Sequence, residues 1–265
     1  MTRPTSTSLC LFLLFIFTSQ YLQAQILFGP KVGYQASMLR YAKLYDGTDY
    51  TEGLGLSPQI GAVYSFKVSK GIAFYSELYY SQRSKSEKTT EVTTLMRNHQ
   101  ANYHFLDVPL MLRFTHPLSK GKKAPSAYIN AGPHIAYWLA GQGKLESMES
   151  FGSSNRISTE YTIRFTDSEQ QEATLFAEDA NRLQFGLSAG TGLLIPVNDQ
   201  GHLLQIDFRY TLGSTFMGSN LDLPIGTTGV EENFSFGYSV ISASVAYTLY
   251  LDVWGMRKGK STKRR

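Results

Sequence analysis

The segment HLLQIDFRYTLG, residues 202–213, alternates apolar and polar side chains along its length. Successive side chains of a β-strand point to opposite faces, so a period of two predicts a strand with two different faces. The apolar face carries Leu204, Ile206, Phe208, Tyr210 and Leu212. The polar face carries Gln205, Asp207, Arg209, Thr211 and Gly213.

Seven other segments repeat this alternation. It is clear in residues 104–115 and 183–195, and weaker in residues 26–39, 56–68, 72–86, 127–140 and 234–250. Pro109 lies on the polar side of its segment, and because proline lacks a donor we expect a bulge or an open hydrogen bond there. Eight long strands predict an all-β fold, an eight-stranded antiparallel up-and-down transmembrane β-barrel, because bacterial single-chain barrels have an even number of strands.

The connections between these segments alternate in length. Residues 69–71, 116–126 and 196–201 are shorter and contain turn-forming glycine, proline and asparagine. Residues 40–55, 87–100, 141–182 and 217–233 are longer and polar, although Tyr161–Phe165 alternates and suggests that this hairpin continues beyond the membrane. Short periplasmic turns and long outer loops are typical of outer-membrane barrels, so both termini are expected in the periplasm.

Hydrophobic residues make up 42% of the chain. Its two ends differ from the rest in composition, because the first is apolar and the last is basic. Residues 1–24 predict a signal peptide, with Arg3 before the apolar run Leu9–Phe17. An uncleaved anchor and a lipoprotein modified at Cys10 are the alternatives. Residues 25–251 are predicted to form the barrel, and residues 252–265 a basic C-terminal tail. Beyond the first segment no apolar stretch approaches the 20 or so residues of a spanning helix, which excludes a helical membrane protein.

Alternation alone does not say which face of the barrel points outward, because a soluble lipocalin-like barrel would bury the apolar face. Glycines collect on the polar face, for example Gly33, Gly61 and Gly190, and the narrow interior of an eight-stranded barrel is crowded. Tyr and Phe lie near strand ends on the apolar face, where aromatic girdles meet the membrane surface. We therefore expect the apolar face to contact lipid.

Charges of both signs share the predicted inner face. Buried charges must be paired, so we expect a structural lumen charge network. Its candidate members are Lys31, Lys67, Glu77, Arg83, Asp107, Arg113, Asp207 and Arg209.

Four segments resemble strands of the outer-membrane β-barrel family of Bacteroidota, often labelled porin-family or PorT-like. They are Tyr103–Phe114, Tyr128–His134, Phe185–Gly192 and Phe208–Gly213, in the order that the family has them. The resemblance implies an eight-stranded barrel in the bacterial outer membrane without implying one activity. One departure is that Tyr250 and Trp254 are followed by a basic tail up to Arg265, whereas such barrels commonly end in an aromatic residue.

The sequence has no HExxH, CxxC or phosphate loop. The pattern G-x-S-x-G occurs once, at Gly186–Gly190, but it falls within a predicted strand and not at the strand-to-helix turn that presents a nucleophilic serine. We expect no catalytic residue, no metal and no cofactor. His134, or Asp107 with Arg113, would be the nominees for a lipid-modifying enzyme.

The leading hypothesis is therefore a non-enzymatic scaffold, surface binder or secretion-associated envelope component. A small diffusion porin is the first alternative and a lipid-modifying outer-membrane enzyme the second. Expected partners are outer-membrane lipid, the barrel-assembly machinery, and an envelope protein or extracellular ligand bound through the four long loops. Nucleic acid is not an expected partner of an exported protein.

Overall fold

The computed structural model describes residues 25–41, 50–52, 54–89, 95–121, 124–149, 156–165, 174–177, 180–218, 222–224 and 231–252. The predicted signal peptide and the basic tail after Asp252 lie outside these residues. In the described part of the chain, no helix is both long and apolar enough to span a bilayer.

Eight long strands form one closed antiparallel ring. They are β1 (Gln25–Tyr41), β3 (Gly55–Ser69), β4 (Ile72–Thr89), β5 (Leu95–Pro117), β6 (Ser126–Glu149), β9 (Leu183–Pro196), β10 (Leu203–Gly213) and β13 (Phe236–Asp252). Each pairs with its neighbour in chain order, and β1 pairs with β13 from Gln25–Asp252 to Tyr41–Phe236. The prediction of an eight-stranded antiparallel up-and-down barrel is confirmed.

Five short strands add to the end of the barrel that carries the long connections. They are β2 (Tyr50–Glu52), β7 (Arg156–Arg164), β8 (Thr174–Phe176), β11 (Asp222–Pro224) and β12 (Glu231–Asn233). Strand β7 pairs with β6 from Met148–Arg156 to Gly141–Ile163, which confirms that the alternating segment at Tyr161 extends a hairpin.

Short turns connect the strands at the opposite end of the barrel, which we call the turn-side mouth. The described residues 70–71, 118–121, 124–125 and 197–202 lie there. Gly71 and Gly201 have φ values of +80° and +86°, a left-handed conformation that suits glycine because it lacks a Cβ.

The predicted bounds of several strands are too short at the long-loop end. Residues 87–89 and 95–100 belong to β4 and β5, and residues 141–149 belong to β6, although all were expected to be loop. A register shift between β5 and β6 at Leu139 marks a bulge. The inward-facing residues change there from even to odd numbers, from Trp138 to Gly141.

Pro109 opens the ladder without a bulge. The pairs Ser76–Leu110 and Tyr79–Asp107 keep one register, but no pairs are formed between them. The missing donor of proline accounts for this gap, as one of the two expected outcomes.

The apolar face points outward around the ring. Phe114 is 48% exposed, Phe28 47% and Tyr210 44%, whereas the polar residues between them are buried. The side chains of Asp207 and Arg209 are inside, because lipid cannot hydrate a charge and an Arg at mid-membrane on the lipid face costs about 2–4 kcal/mol.

Candidate functional site in the barrel interior

Lys31, Glu77, Asp207 and Arg209 form a group of ion pairs across the lumen, which we call the charged layer. Glu77 is at its centre. Its carboxylate accepts two hydrogen bonds from Arg209, each 2.7 Å long, and one from the Lys31 ammonium group at 2.6 Å. The Tyr75 hydroxyl also donates to it. Strands β4 and β10 are four positions apart in the eight-stranded ring, so the contact between Glu77 and Arg209 spans the full diameter of the lumen.

Asp207 extends this layer towards β6. It accepts a 2.9 Å bond from Arg209 and a 2.6 Å bond from the Tyr128 hydroxyl. A Cβ on Gly192 would lie 2.5 Å from the Tyr128 hydroxyl oxygen and 2.0 Å from the Ile206 carbonyl oxygen. Glycine at this inner position therefore makes the room that the tyrosine occupies.

Arg113 lies beside this layer and has no carboxylate partner among the described residues. Its guanidinium carbon is 3.6 Å from the centre of the Tyr75 ring and 4.0 Å from that of Tyr128, so it is stacked between two aromatic faces. Its Nη1 donates to Gln205 at 3.1 Å, and Gln205 in turn donates to the Tyr75 hydroxyl at 2.9 Å.

Asp107 organises a second group of polar side chains closer to the long loops. It accepts bonds from Arg83 and Ser81, both 2.5 Å, and lies 2.7 Å from His134 Nε2. His134 Nδ1 is 3.1 Å from Ser188 Oγ, which is 2.7 Å from Thr211 Oγ1.

The series Asp107–His134–Ser188 contains the residue types of a hydrolase triad. A nucleophile must also meet its substrate, and here all three residues are at most 3% exposed. Two cavities of about 640 and 520 Å³ lie at the turn-side mouth, and none of the three residues lines either of them. The geometry is that of a packed network that satisfies buried polar groups.

An aromatic layer fills the lumen above Asp107, towards the long loops. The Tyr103 ring on β5 lies 5.7 Å from Phe236 and 6.3 Å from Tyr238 on β13, and these two strands also face each other across the ring. Trp138 packs at 5.7 Å against Tyr103 and 5.4 Å against Phe234. The lumen is thus spanned twice, once by charges and once by aromatic rings.

Seven of the eight predicted lumen residues lie buried inside the barrel: Lys31, Glu77, Arg83, Asp107, Arg113, Asp207 and Arg209. Lys67 does not join them, because it is exposed at the turn-side mouth. The nominated pair of Asp107 with Arg113 does not form; Asp107 bonds Arg83 and Arg113 stacks on tyrosines.

Sequence reasoning assigned no role in the lumen network to Tyr75, Tyr128, Gln205, Ser81 or Ser188, although each bonds a charged side chain or a histidine inside the barrel. Their positions on the polar face of the alternation were the available signal. Among the described residues, no group of three or more His, Cys, Asp or Glu side chains is arranged to hold a metal ion.

A sheet extension stands above the barrel at the long-loop end. Residues 95–103 of β5 add roughly 30 Å of strand at about 3.4 Å per residue, paired with β6, which pairs with β7. Its inner face buries Ala101, Leu145, Tyr161 and Ile163. Its outer face is polar, for example Gln100, Gln142 and Thr162, as expected for a sheet in water. There Glu146 raises the pKa of Lys144 through a 2.9 Å hydrogen bond.

The profile of a family described as "Outer membrane protein beta-barrel domain" matches residues 18–216. No curated protein matches the chain. Among solved structures, Neisserial surface protein A shares 9% identity over 84% of this chain and 97% of its own, with a TM-score of 0.37. OprG of Pseudomonas aeruginosa shares 11% over 86% and 94%, with a TM-score of 0.44. Ail of Yersinia pestis, solved with the heparin analogue sucrose octasulfate, shares 13% over 86% and 99%, with a TM-score of 0.35.

Proposed function

Because this chain belongs to the outer-membrane β-barrel family that it matches over residues 18–216, we propose that it is a non-conducting, non-enzymatic barrel that holds a binding surface outside the cell. The observation that carries the proposal is the double closure of the lumen. Glu77 meets Arg209 across one diameter, and Tyr103 meets Phe236 across another. In this proposal the closed barrel anchors the protein in the membrane, and its exposed surface binds the partner.

The sheet extension of β5, β6 and β7 is the proposed binding surface. Its buried inner face includes a 2.6 Å hydrogen bond between His99 and Tyr161, and Gly143 leaves room for the Tyr161 ring. A surface held by its own core loses little conformational entropy when it binds a partner. The partner in this proposal is an envelope protein or an extracellular ligand.

Membership of the PorT-like branch is a finer proposal, supported by the ordered motifs at Tyr103, Tyr128, Phe185 and Phe208. It would make the barrel a component of envelope secretion machinery. Cross-linking from single cysteines on the extension and on the turns would separate these uses. A surface binder yields adducts from the extension, and a machine subunit yields adducts with periplasmic proteins from the turns.

The first prediction concerns conductance. The purified protein in planar lipid bilayers should give no discrete current steps, because two layers of side chains cross its lumen. A diffusion porin measured in the same bilayers is the positive control. Reproducible ion-conducting steps from this protein would support the porin alternative instead.

The second prediction concerns the orientation of the barrel in the membrane. The long loops should face the outside of the cell. Cys10 is the single cysteine and lies in the predicted signal peptide, so introduced cysteines can be labelled separately. A membrane-impermeant maleimide added to intact cells should label Thr162→Cys on β7. Val197→Cys in the turn between β9 and β10 should react only after the outer membrane is permeabilised. Labelling in the opposite order would place the turns outside.

A further inference from the structure

A cavity of about 640 Å³ opens at the turn-side mouth of the barrel. Arg113, Lys67, Lys70 and His116 line it, and none of the described lining residues is Asp or Glu. Ser65 and Thr115 also line it. A concave site with several cations and no carboxylate has a positive potential that favours an anion.

Arg113 is the feature that goes beyond surface charge. The residue is 2% exposed, and its Nε and Nη2 have no hydrogen-bond partner among the described residues. A buried N–H group without an acceptor is costly, and stacking between Tyr75 and Tyr128 holds the guanidinium plane in place. A planar guanidinium with free donors fits the oxygens of a carboxylate or phosphate.

Most of the remaining cavity wall is apolar. Leu27, Ile72, Leu203 and Tyr250 face the same space. A second cavity of about 520 Å³ shares Lys70, Gly71, Ile72, Thr115 and His116 with the first, and it reaches Phe114 and Ile129 on the lipid-facing side. The two cavities therefore join a cationic rim both to the lumen and to the hydrocarbon boundary.

We propose that the turn-side mouth binds an amphipathic anion, a phosphate or carboxylate group carried on an apolar body. The anionic group contacts Arg113, Lys67 and Lys70, and the apolar body lies against Leu27, Ile72 and Leu203. The same chemistry is offered by a soluble anion and by the headgroup of an anionic lipid. This proposal does not depend on the binding surface at the other end of the barrel. It also does not depend on which side of the membrane the turns face.

Backbone amide NMR of the ¹⁵N-labelled protein in phosphatidylcholine nanodiscs tests the proposal. Dodecyl phosphate should shift the amides of Gly71 and Gly201, which line the cavity, in a saturable way. The amide of Gly143 at the far end of the barrel should not move. Inorganic phosphate should bind more weakly, because it lacks the apolar body, and the neutral dodecyl maltoside should leave the glycines unmoved.

Substitutions separate the site from general surface charge. Lys67→Gln with Lys70→Gln changes only exposed residues and should weaken binding by about tenfold or more, since two charge-assisted contacts are lost. Arg113→Gln should remove saturable binding. Lys120→Gln, exposed in the neighbouring turn and outside the cavity lining, should bind as the unsubstituted protein does.

Two arms identify the source of the anion. If phosphatidylglycerol in the nanodisc shifts Gly71 and Gly201 and competes with dodecyl phosphate, the natural ligand is an anionic lipid headgroup. If dodecyl phosphate binds undiminished in such nanodiscs, the ligand is a soluble amphiphile. The proposal is overturned if dodecyl phosphate gives no saturable shift, if dodecyl maltoside shifts the same amides equally, or if the double lysine variant binds normally.

Discussion

Replacing Glu77 with glutamine should lower the free energy of unfolding by about 3–5 kcal/mol, the cost of removing one partner from a buried ion pair. Glutamine keeps the shape of the side chain but not its charge. Lys31 would lose the only carboxylate it contacts in the described structure, and Arg209 would keep only Asp207. Urea unfolding of the barrel in phospholipid vesicles measures the effect.

Two further variants make this experiment specific to charge pairing. Leu78→Ile, on the adjacent lipid-facing residue, keeps the apolar volume and should change stability little. Lys31→Met in the Glu77→Gln background removes the cation left behind and should recover part of the lost stability. If Glu77→Gln unfolded at the same urea concentration as the unsubstituted barrel, the charged layer would contribute nothing to stability.

The strands of the membrane-spanning part of the barrel could be predicted from the sequence because the two faces of each strand meet different environments. Lipid requires apolar residues outside, and the crowded lumen takes polar ones. On β10 this sorts Ile206 and Phe208 from Asp207 and Arg209. Seven of the eight lumen charges predicted from this rule lie buried inside the barrel, whereas Lys67 is exposed at the turn-side mouth.

The long-loop ends were misjudged because the rule reverses there. On β5, Tyr103 and Phe105 point inward and Asn102 and His104 point outward, since the medium outside is now water and the core is apolar. On β6 the bulge at Leu139 shifts the alternation by one residue. A pattern whose polarity inverts, or whose phase slips, no longer matches the template for a membrane strand.

Partners across the lumen could not be predicted for a different reason. The alternation says that Glu77 and Arg209 both point inward, but which inward residues meet depends on how the strands are staggered around the ring. The stagger places Glu77 beside Arg209 and Lys31, and leaves Arg113 to Tyr75, Tyr128 and Gln205. Nothing local to either strand encodes these distances.

Trp138→Ala should destabilise the long-loop end of the barrel by about 3–5 kcal/mol, the usual cost of truncating a buried tryptophan. Trp138 is fully buried and connects Tyr103 on β5 with Phe165 and Phe234. Its Nε1 donates a 2.9 Å hydrogen bond to the Ala140 carbonyl beyond the bulge. Removing the indole leaves a cavity where three separate segments of the chain meet.

Amide hydrogen exchange shows where stability is lost. Exchange should accelerate in residues 161–165 and 234–240, whose aromatic and apolar side chains pack on this layer, while the amides of Asp207 and Arg209 stay protected by the charged layer. Trp138→Phe should have a smaller effect because it keeps a ring and loses the Nε1 hydrogen bond, which contributes about 0.5–1.5 kcal/mol. Leu139→Ala, one residue along on the outer face, is the control for position. If Trp138→Ala exchanged at unchanged rates in both segments, the aromatic layer would not be what holds the sheet extension in place, and a rigid binding surface built on it would lose its physical basis.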